Sequence, residues 1–212
     1  MTRTKSRVLP FVFALALLAG CGGGGPPSGL QNKNPGDNDV DVVVALGDSI
    51  TLGDQCACAP YPARLQEQTG KIVRNAGLSG SMATDNVDRA AEMIARFHPG
   101  FMLILYGHND VVHGVQTGSI IEALQAMVAI CRERHVVPVL ATYPEPIGDH
   151  AAYAPRVLVL NSHVRNLAVE LGIECVDLEM EFDVEGDLRQ ADGLHPNDAG
   201  TQIIAMAFAD LF

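Results

Sequence analysis

Residues 41–46 read Asp-Val-Val-Val-Ala-Leu, an almost unbroken apolar run. A strand with one wet face alternates apolar and polar residues; a run like this suits a strand buried on both faces of a parallel sheet. Similar runs recur at 101–106, 136–142 and 173–177, with a shorter one at 71–75. Helical patterns separate them. One helix is expected over 62–69, with Gly70 as its stop. A second, capped by Thr84 or Asp85, carries Val87, Ala90, Ala91, Ile94 and Phe97 at helical spacing. Pro99-Gly100 ends it. Ser119 is expected to cap a helix over 120–134, with Glu122 completing a capping box. Pro155 opens a long helix that Gly172 closes, and Asn197 caps a last one to about Leu211. Strands alternating with helices imply an α/β fold, a parallel sheet covered on both sides and joined by right-handed crossovers. Ligands in such sheets gather beyond the carboxyl ends of the strands, where the strand order reverses.

The N-terminus has a different character. Arg3, Lys5 and Arg7 precede a thirteen-residue apolar run over 8–20, too short to span a bilayer comfortably and suited to a signal peptide. Leu18-Ala19-Gly20-Cys21 resembles a bacterial lipobox, in which cleavage exposes a cysteine that is then lipidated. Residues 1–20 are therefore expected to be a signal peptide and Cys21 a membrane anchor in a cell envelope. An ordinary cleaved signal is the alternative, and the intact mass of membrane-extracted protein separates the two. Residues 21–39, rich in Gly, Pro and Asn, read as a flexible tether, leaving 40–212 as the folded domain. The net charge is −11, and without Arg3, Lys5 and Arg7 it becomes −14. Such a surface repels phosphate backbones, so nucleic acid is not an expected partner. Trp is absent and aromatics make up 5%, which argues against a carbohydrate-stacking module.

Four segments at strand ends carry the chemistry. The first strand runs into Gly47-Asp48-Ser49-Ile50-Thr51-Leu52-Gly53. A serine there can start a helix or tight turn with its hydroxyl facing the cleft and its own N–H available to an oxyanion; alternatively it is a plain helix cap. Thr51 stands where the nucleophile elbow G-x-S-x-G requires glycine, which argues against that common hydrolase fold. The second strand ends at Asn75-Ala76-Gly77, and glycine there permits close backbone approach to a ligand. The third ends at Gly107-His108-Asn109-Asp110, where Asn109 can offer an amide N–H to a developing negative charge or serve only in a turn. Near the C-terminus, Asp192-Gly193-Leu194-His195-Pro196 places a carboxylate three residues before a histidine. It could fold back onto the ring and fix its tautomer, or the segment is a surface loop. A metal pair has no further His or Cys cluster to complete it.

Together these segments resemble the SGNH (GDSL-type) hydrolase family, in the family's order and from about Val40 to the end of the chain. His108 departs from the pattern, since family members often carry a small residue there. The resemblance implies a three-layer α/β/α sandwich on a five-stranded parallel, flavodoxin-like sheet. It implies Ser49 as nucleophile, His195 as its base and Asp192 as orienter. The oxyanion would be held by the N–H groups of Ser49 and Gly77 and the side chain of Asn109. Asp48, His108 and Tyr143 are expected to contact substrate, with the irregular stretch 143–154 shaping the pocket. The expected protein is a monomeric esterase without cofactor or metal, acting on a small-molecule or lipid ester or thioester of short acyl length. A carbohydrate O-deacetylase, a lysophospholipase, an acyltransferase and an inactive binding module stay open. Cys56 and Cys58, two apart, could bridge only through a tight ring. Cys131 and Cys175 read as small core residues. His98, His113, His135, His150 and His163 read as surface or loop positions.

Overall fold

The computed structural model describes residues 35–183 and 187–212. The expected signal peptide, Cys21 and most of the expected tether lie outside the described residues. In chain order the elements are β1 (Asp39–Gly47), α1 (Ser49–Leu52), α2 (Tyr61–Thr69), β2 (Ile72–Gly77), α3 (Val87–Phe97), β3 (Pro99–Leu105) and α4 (His108–Val112). They continue with α5 (Thr117–Glu133), β4 (Val137–Ala141), a 3-10 turn (Gly148–Tyr153), α6 (Ala154–Leu171), β5 (Glu174–Val176), α7 (Leu178–Glu181) and α8 (Asp198–Ala209).

All five strands are parallel, in the order β2-β1-β3-β4-β5. Helix α2 packs on α8, while α3 packs on α5 and α5 on α6. The apolar runs mark the strands that the two helical layers cover. Val43, Val44, Ala45 and Leu46 have no exposed surface, and every residue of β3 is buried. Each large aliphatic side chain removed from water contributes roughly 1.5–3 kcal/mol, so the central strands anchor the fold.

The order reverses at β1. At its C-terminal end Gly47 pairs with Gly77 of β2 on one side and Leu105 of β3 on the other. The turns after β1, β2 and β3 therefore open onto one edge. Gly47 must be glycine there, because a Cβ would meet Thr51 Oγ1 at 2.1 Å and the Leu105 carbonyl at 2.7 Å.

Two helix starts differ from the sequence expectation. Helix α5 begins at Thr117 behind Gln116, whose side chain makes no cap, so Ser119 lies inside the first turn. A cap is worth about 1 kcal/mol, less than the burial of Ile120 and Leu124 that fixes the helix against the sheet. Helix α3 begins at Val87 behind Asn86. Thr84, expected to cap it, instead donates its N–H and hydroxyl to the Asp110 carboxylate. Asn197 does cap α8, accepting from the Gly200 N–H.

Cys56 and Cys58 are bridged, with Cα atoms 5.0 Å apart, in the loop after α1. Cys131 is buried on α5, and Cys175 in β5 is half-buried.

Candidate active site

Ser49 is the first residue of α1, directly beyond the buried end of β1. Asp48 caps that helix, its Oδ1 accepting the Ile50 N–H at 3.0 Å. The N–H of Ser49 belongs to the first turn, where helices leave donors without intrahelical partners. From 146 residues further along, His195 presents Nε2 to Ser49 Oγ at 2.9 Å. Its Nδ1 lies 2.5 Å from Asp192 Oδ2. The other Asp192 oxygen accepts the N–H groups of Leu194 (2.9 Å) and His195 (3.0 Å). The carboxylate thus folds back over its own loop and holds the ring by the far nitrogen. Burial alone would raise the Asp192 pKa, but the His195 ring and these two N–H donors outweigh it and hold the carboxyl below its ordinary value. An ionised Asp192 keeps the proton on Nδ1 and leaves Nε2 a lone pair for the serine hydroxyl.

The loop is braced from outside. The Ile147 N–H donates to the Gly193 carbonyl at 2.9 Å, and a Cβ on Gly193 would meet the Ile147 carbonyl oxygen at 2.2 Å. With φ at +75°, Gly193 is a position that side chains rarely adopt.

Asn109 sits in the first turn of α4, and its Nδ2 donates to the Ser81 carbonyl (3.0 Å) and Asp48 Oδ2 (3.2 Å). Asp110 is fully buried, and its carboxylate accepts the Ala83 N–H at 2.8 Å and the Thr84 N–H at 3.1 Å. It thereby ties the loop after β2 to α4. The structure corrects the expectation for Gly77. Its N–H is taken by Asn75 Oδ1 at 2.9 Å. Its Cα packs on α1, where a Cβ would meet the Leu52 nitrogen at 2.2 Å. Glycine is needed at 77 so that α1 can lie against β2. A candidate donor that sequence reasoning missed is three residues on. Gly80 has φ at +69°, open space beside its Cα, and an N–H with no hydrogen-bond partner among the described residues. It directly precedes Ser81, whose carbonyl holds Asn109. The Ser79-Gly80 dipeptide, a turn signal just beyond a strand, was the available clue.

A second correction concerns the three residues expected to contact substrate. Asp48, His108 and Tyr143 are each about 1% exposed and lie beneath the site. The Tyr143 hydroxyl donates to Asp48 Oδ2. Burial pushes the Asp48 carboxyl up to about 6, although the bonds from Tyr143 and the Ile50 N–H and the nearby His195 pull the other way. His108 stacks on Tyr143 (centroids 5.9 Å apart) and tilts against His150 (5.4 Å). Neither of its ring nitrogens has a partner among the described residues. Burial, then His150 and His195, push its pKa down to about 4, so the ring is neutral. His150 is accordingly not a free surface residue: it packs on His108 and Tyr153.

A model of the GDSL-like Lipase/Acylhydrolase family matches residues 45–203. The chain is 27% identical over 170 residues to thioesterase 1/protease 1/lysophospholipase L1 of Escherichia coli K12, an alignment covering 78% of this chain and 80% of that one. Among solved structures, the lipase/acylhydrolase from Enterococcus faecalis superposes with a TM-score of 0.71 at 22% identity, over 79% of this chain and 93% of that one. An acetylxylan esterase from Geobacillus stearothermophilus, solved as a catalytic mutant, superposes at 0.67 with 21% identity, over 79% and 91%. These structural likenesses carry the fold.

Proposed function

The chain belongs to the GDSL-like lipase/acylhydrolase family, and from that footing we propose that it hydrolyses carboxylic esters of short acyl length through an acyl-enzyme on Ser49. The observation that carries this reading is the continuous relay from Asp192 through His195 to Ser49, at 2.5 and 2.9 Å. His195 takes the hydroxyl proton through Nε2 as Oγ attacks the carbonyl, and the developing imidazolium is stabilised by the ionised Asp192. The carbonyl π electrons move to the oxygen. That oxyanion is received by the N–H groups of Ser49 and Gly80 and by Asn109, each donor lowering the barrier by roughly 3–4 kcal/mol. Collapse expels the alcohol, which takes its proton from His195. Water, deprotonated by the same ring, then releases the acid and restores Ser49. Asn109 takes part by turning its long 3.2 Å bond from Asp48 toward the oxyanion.

Exposed apolar side chains support an acyl substrate. Leu52, three residues after Ser49 in α1, and Leu78, whose N–H donates to the Gly47 carbonyl, are 40% and 47% exposed. The curated relative named for thioesterase and lysophospholipase activity points to acyl substrates too.

Ser49→Ala is expected to abolish turnover of p-nitrophenyl acetate, a loss of at least about 10⁴, and labelling by a fluorophosphonate, with unchanged circular dichroism. Near-native turnover in that variant overturns the proposal. Aryl esters of graded acyl length, assayed beside acetylated xylan and lysophospholipid, read the substrate class; best turnover on the long-chain members would remove the short-acyl assignment.

A further inference from the structure

We propose that Tyr143 is a positioning residue for the oxyanion donor Asn109, acting through the buried carboxylate of Asp48. The proposal rests on the acyl-enzyme reading above and adds to it a residue that touches neither substrate nor Ser49.

Tyr143 is held more firmly than a loop residue needs to be. It follows β4 at the start of an irregular stretch, yet its N–H donates to Asn161 Oδ1 at 2.9 Å and its carbonyl accepts from Asn161 Nδ2 at 2.8 Å. Asn161 is buried on α6 and passes its second amide hydrogen to Glu179 at 2.8 Å. The backbone is fixed at both polar atoms, and the ring is packed against His108. The hydroxyl therefore arrives at Asp48 on a rigid arm. Freezing such an arm costs little further entropy when substrate binds.

At Asp48 the bonds divide by oxygen. Oδ1 serves α1 through the Ile50 N–H. Oδ2 is shared between the Tyr143 hydroxyl and Asn109 Nδ2. The phenol is the nearer donor and the amide, at 3.2 Å, the farther. A carboxylate oxygen already satisfied by a phenol holds a second donor loosely. The Asn109 N–H stays aimed but can be released to a stronger acceptor, the oxyanion. Among the described residues no other donor replaces the phenol. The titratable groups around Asp48 are Tyr61 from α2, Tyr106 beyond β3, Asp110 from α4 and His195 from the triad loop. The Tyr61 hydroxyl is engaged with Thr51, and Tyr106 meets Ser81 and Arg89. Asp110 is an acceptor whose oxygens are already occupied by Ala83 and Thr84.

Without the hydroxyl, Asn109 is displaced whichever way the proton goes. If Asp48 stays charged, the buried oxygen has lost its nearer donor and draws the amide in, against release to the oxyanion. If it takes up a proton, which the loss of the phenol favours, its new O–H faces the amide N–H, donor against donor.

The test is a double-mutant cycle on the full chain with p-nitrophenyl acetate. Tyr143→Phe keeps the ring and its stacking. It is expected to lower kcat about tenfold, part of the 10²–10³ that a whole oxyanion donor is worth, with KM within about twofold. In an Asn109→Ala background the same substitution is expected to change kcat by less than about twofold, because the group it positions is gone. A tenfold loss in both backgrounds assigns Tyr143 an independent packing role and overturns the proposal, as does full activity in the single variant. If Asn109→Ala is itself fully active, the oxyanion reading falls and this proposal with it. A normal defect in Asn109→Ala with additive losses sinks this proposal alone. Should Tyr143→Phe not fold, Asp48→Asn, which keeps the cap on α1, is read in the same cycle: a kcat loss that vanishes in the Asn109→Ala background supports the relay through Asp48, and an equal loss in both backgrounds overturns it.

Discussion

Replacing Asp192 with asparagine leaves the number of heavy atoms unchanged and the volume almost so, yet the structure dictates a large effect. The Asp192 Oδ1 position is faced by two N–H donors, from Leu194 at 2.9 Å and His195 at 3.0 Å. An amide group must put its oxygen there, since turning its NH₂ toward them would leave buried donors unmet at about 1–3 kcal/mol each. The NH₂ is then forced to the Oδ2 position, 2.5 Å from His195 Nδ1. Nδ1 has to accept, so the ring proton moves to Nε2, which now donates to Ser49 Oγ across the 2.9 Å contact instead of taking its proton. The base is present, well placed and in the wrong tautomer. A wrong tautomer of this kind costs about 10⁴ in kcat, or roughly 5 kcal/mol of barrier. The assay is steady-state hydrolysis of p-nitrophenyl acetate at neutral pH, with thermal melting to show that the loop still folds. A loss of tenfold or less would refute the reasoning, because it would mean that Asp192 does not set the histidine tautomer.

Other consequences can be measured directly. Asn109→Ala should lower kcat by about 10²–10³ with little change in KM; an unchanged kcat removes Asn109 from the oxyanion site. His108→Phe keeps the stacking while removing two unpartnered ring nitrogens, so it should raise stability at pH 7 by about 1 kcal/mol. The gain should grow on acidification. The unfolded ring takes a proton near its ordinary value of 6.5 and the folded ring only near 4, so the wild type loses stability as pH falls through that window, by up to roughly 3 kcal/mol. Asp48, raised to about 6, acts in the opposite sense but is present in both proteins and cancels in the difference. A stability gain no larger at pH 5 than at pH 7, read from urea unfolding, would count against this. Alkylation under denaturing, non-reducing conditions should modify Cys131 and Cys175 and spare the peptide carrying Cys56 and Cys58; alkylation of that peptide before reduction would exclude the bridge.

Sequence by itself determined the sheet. Val43 to Leu46 and Phe101 to Leu105 are apolar at every position, and only a strand covered on both faces can hide them. The helices between them then leave few ways to connect the strands, and the order β2-β1-β3-β4-β5 puts Ser49 where that order reverses. Ser49, Asn109, Asp192 and His195 were legible because each stands outside the buried strands, in a short string whose residue types suit one chemistry. What only the tertiary structure decided was which groups face one another and which face water. Gly77 and Gly80 look alike in sequence, but one N–H is spent on Asn75 and the other has no partner among the described residues. Asp48 and His108 stand in the motif strings and Tyr143 opens the irregular stretch 143–154, yet packing buries all three. Hydrogen-bond direction and burial depend on neighbours distant along the chain, such as Asn161 beneath Tyr143. No local pattern of residues encodes those neighbours.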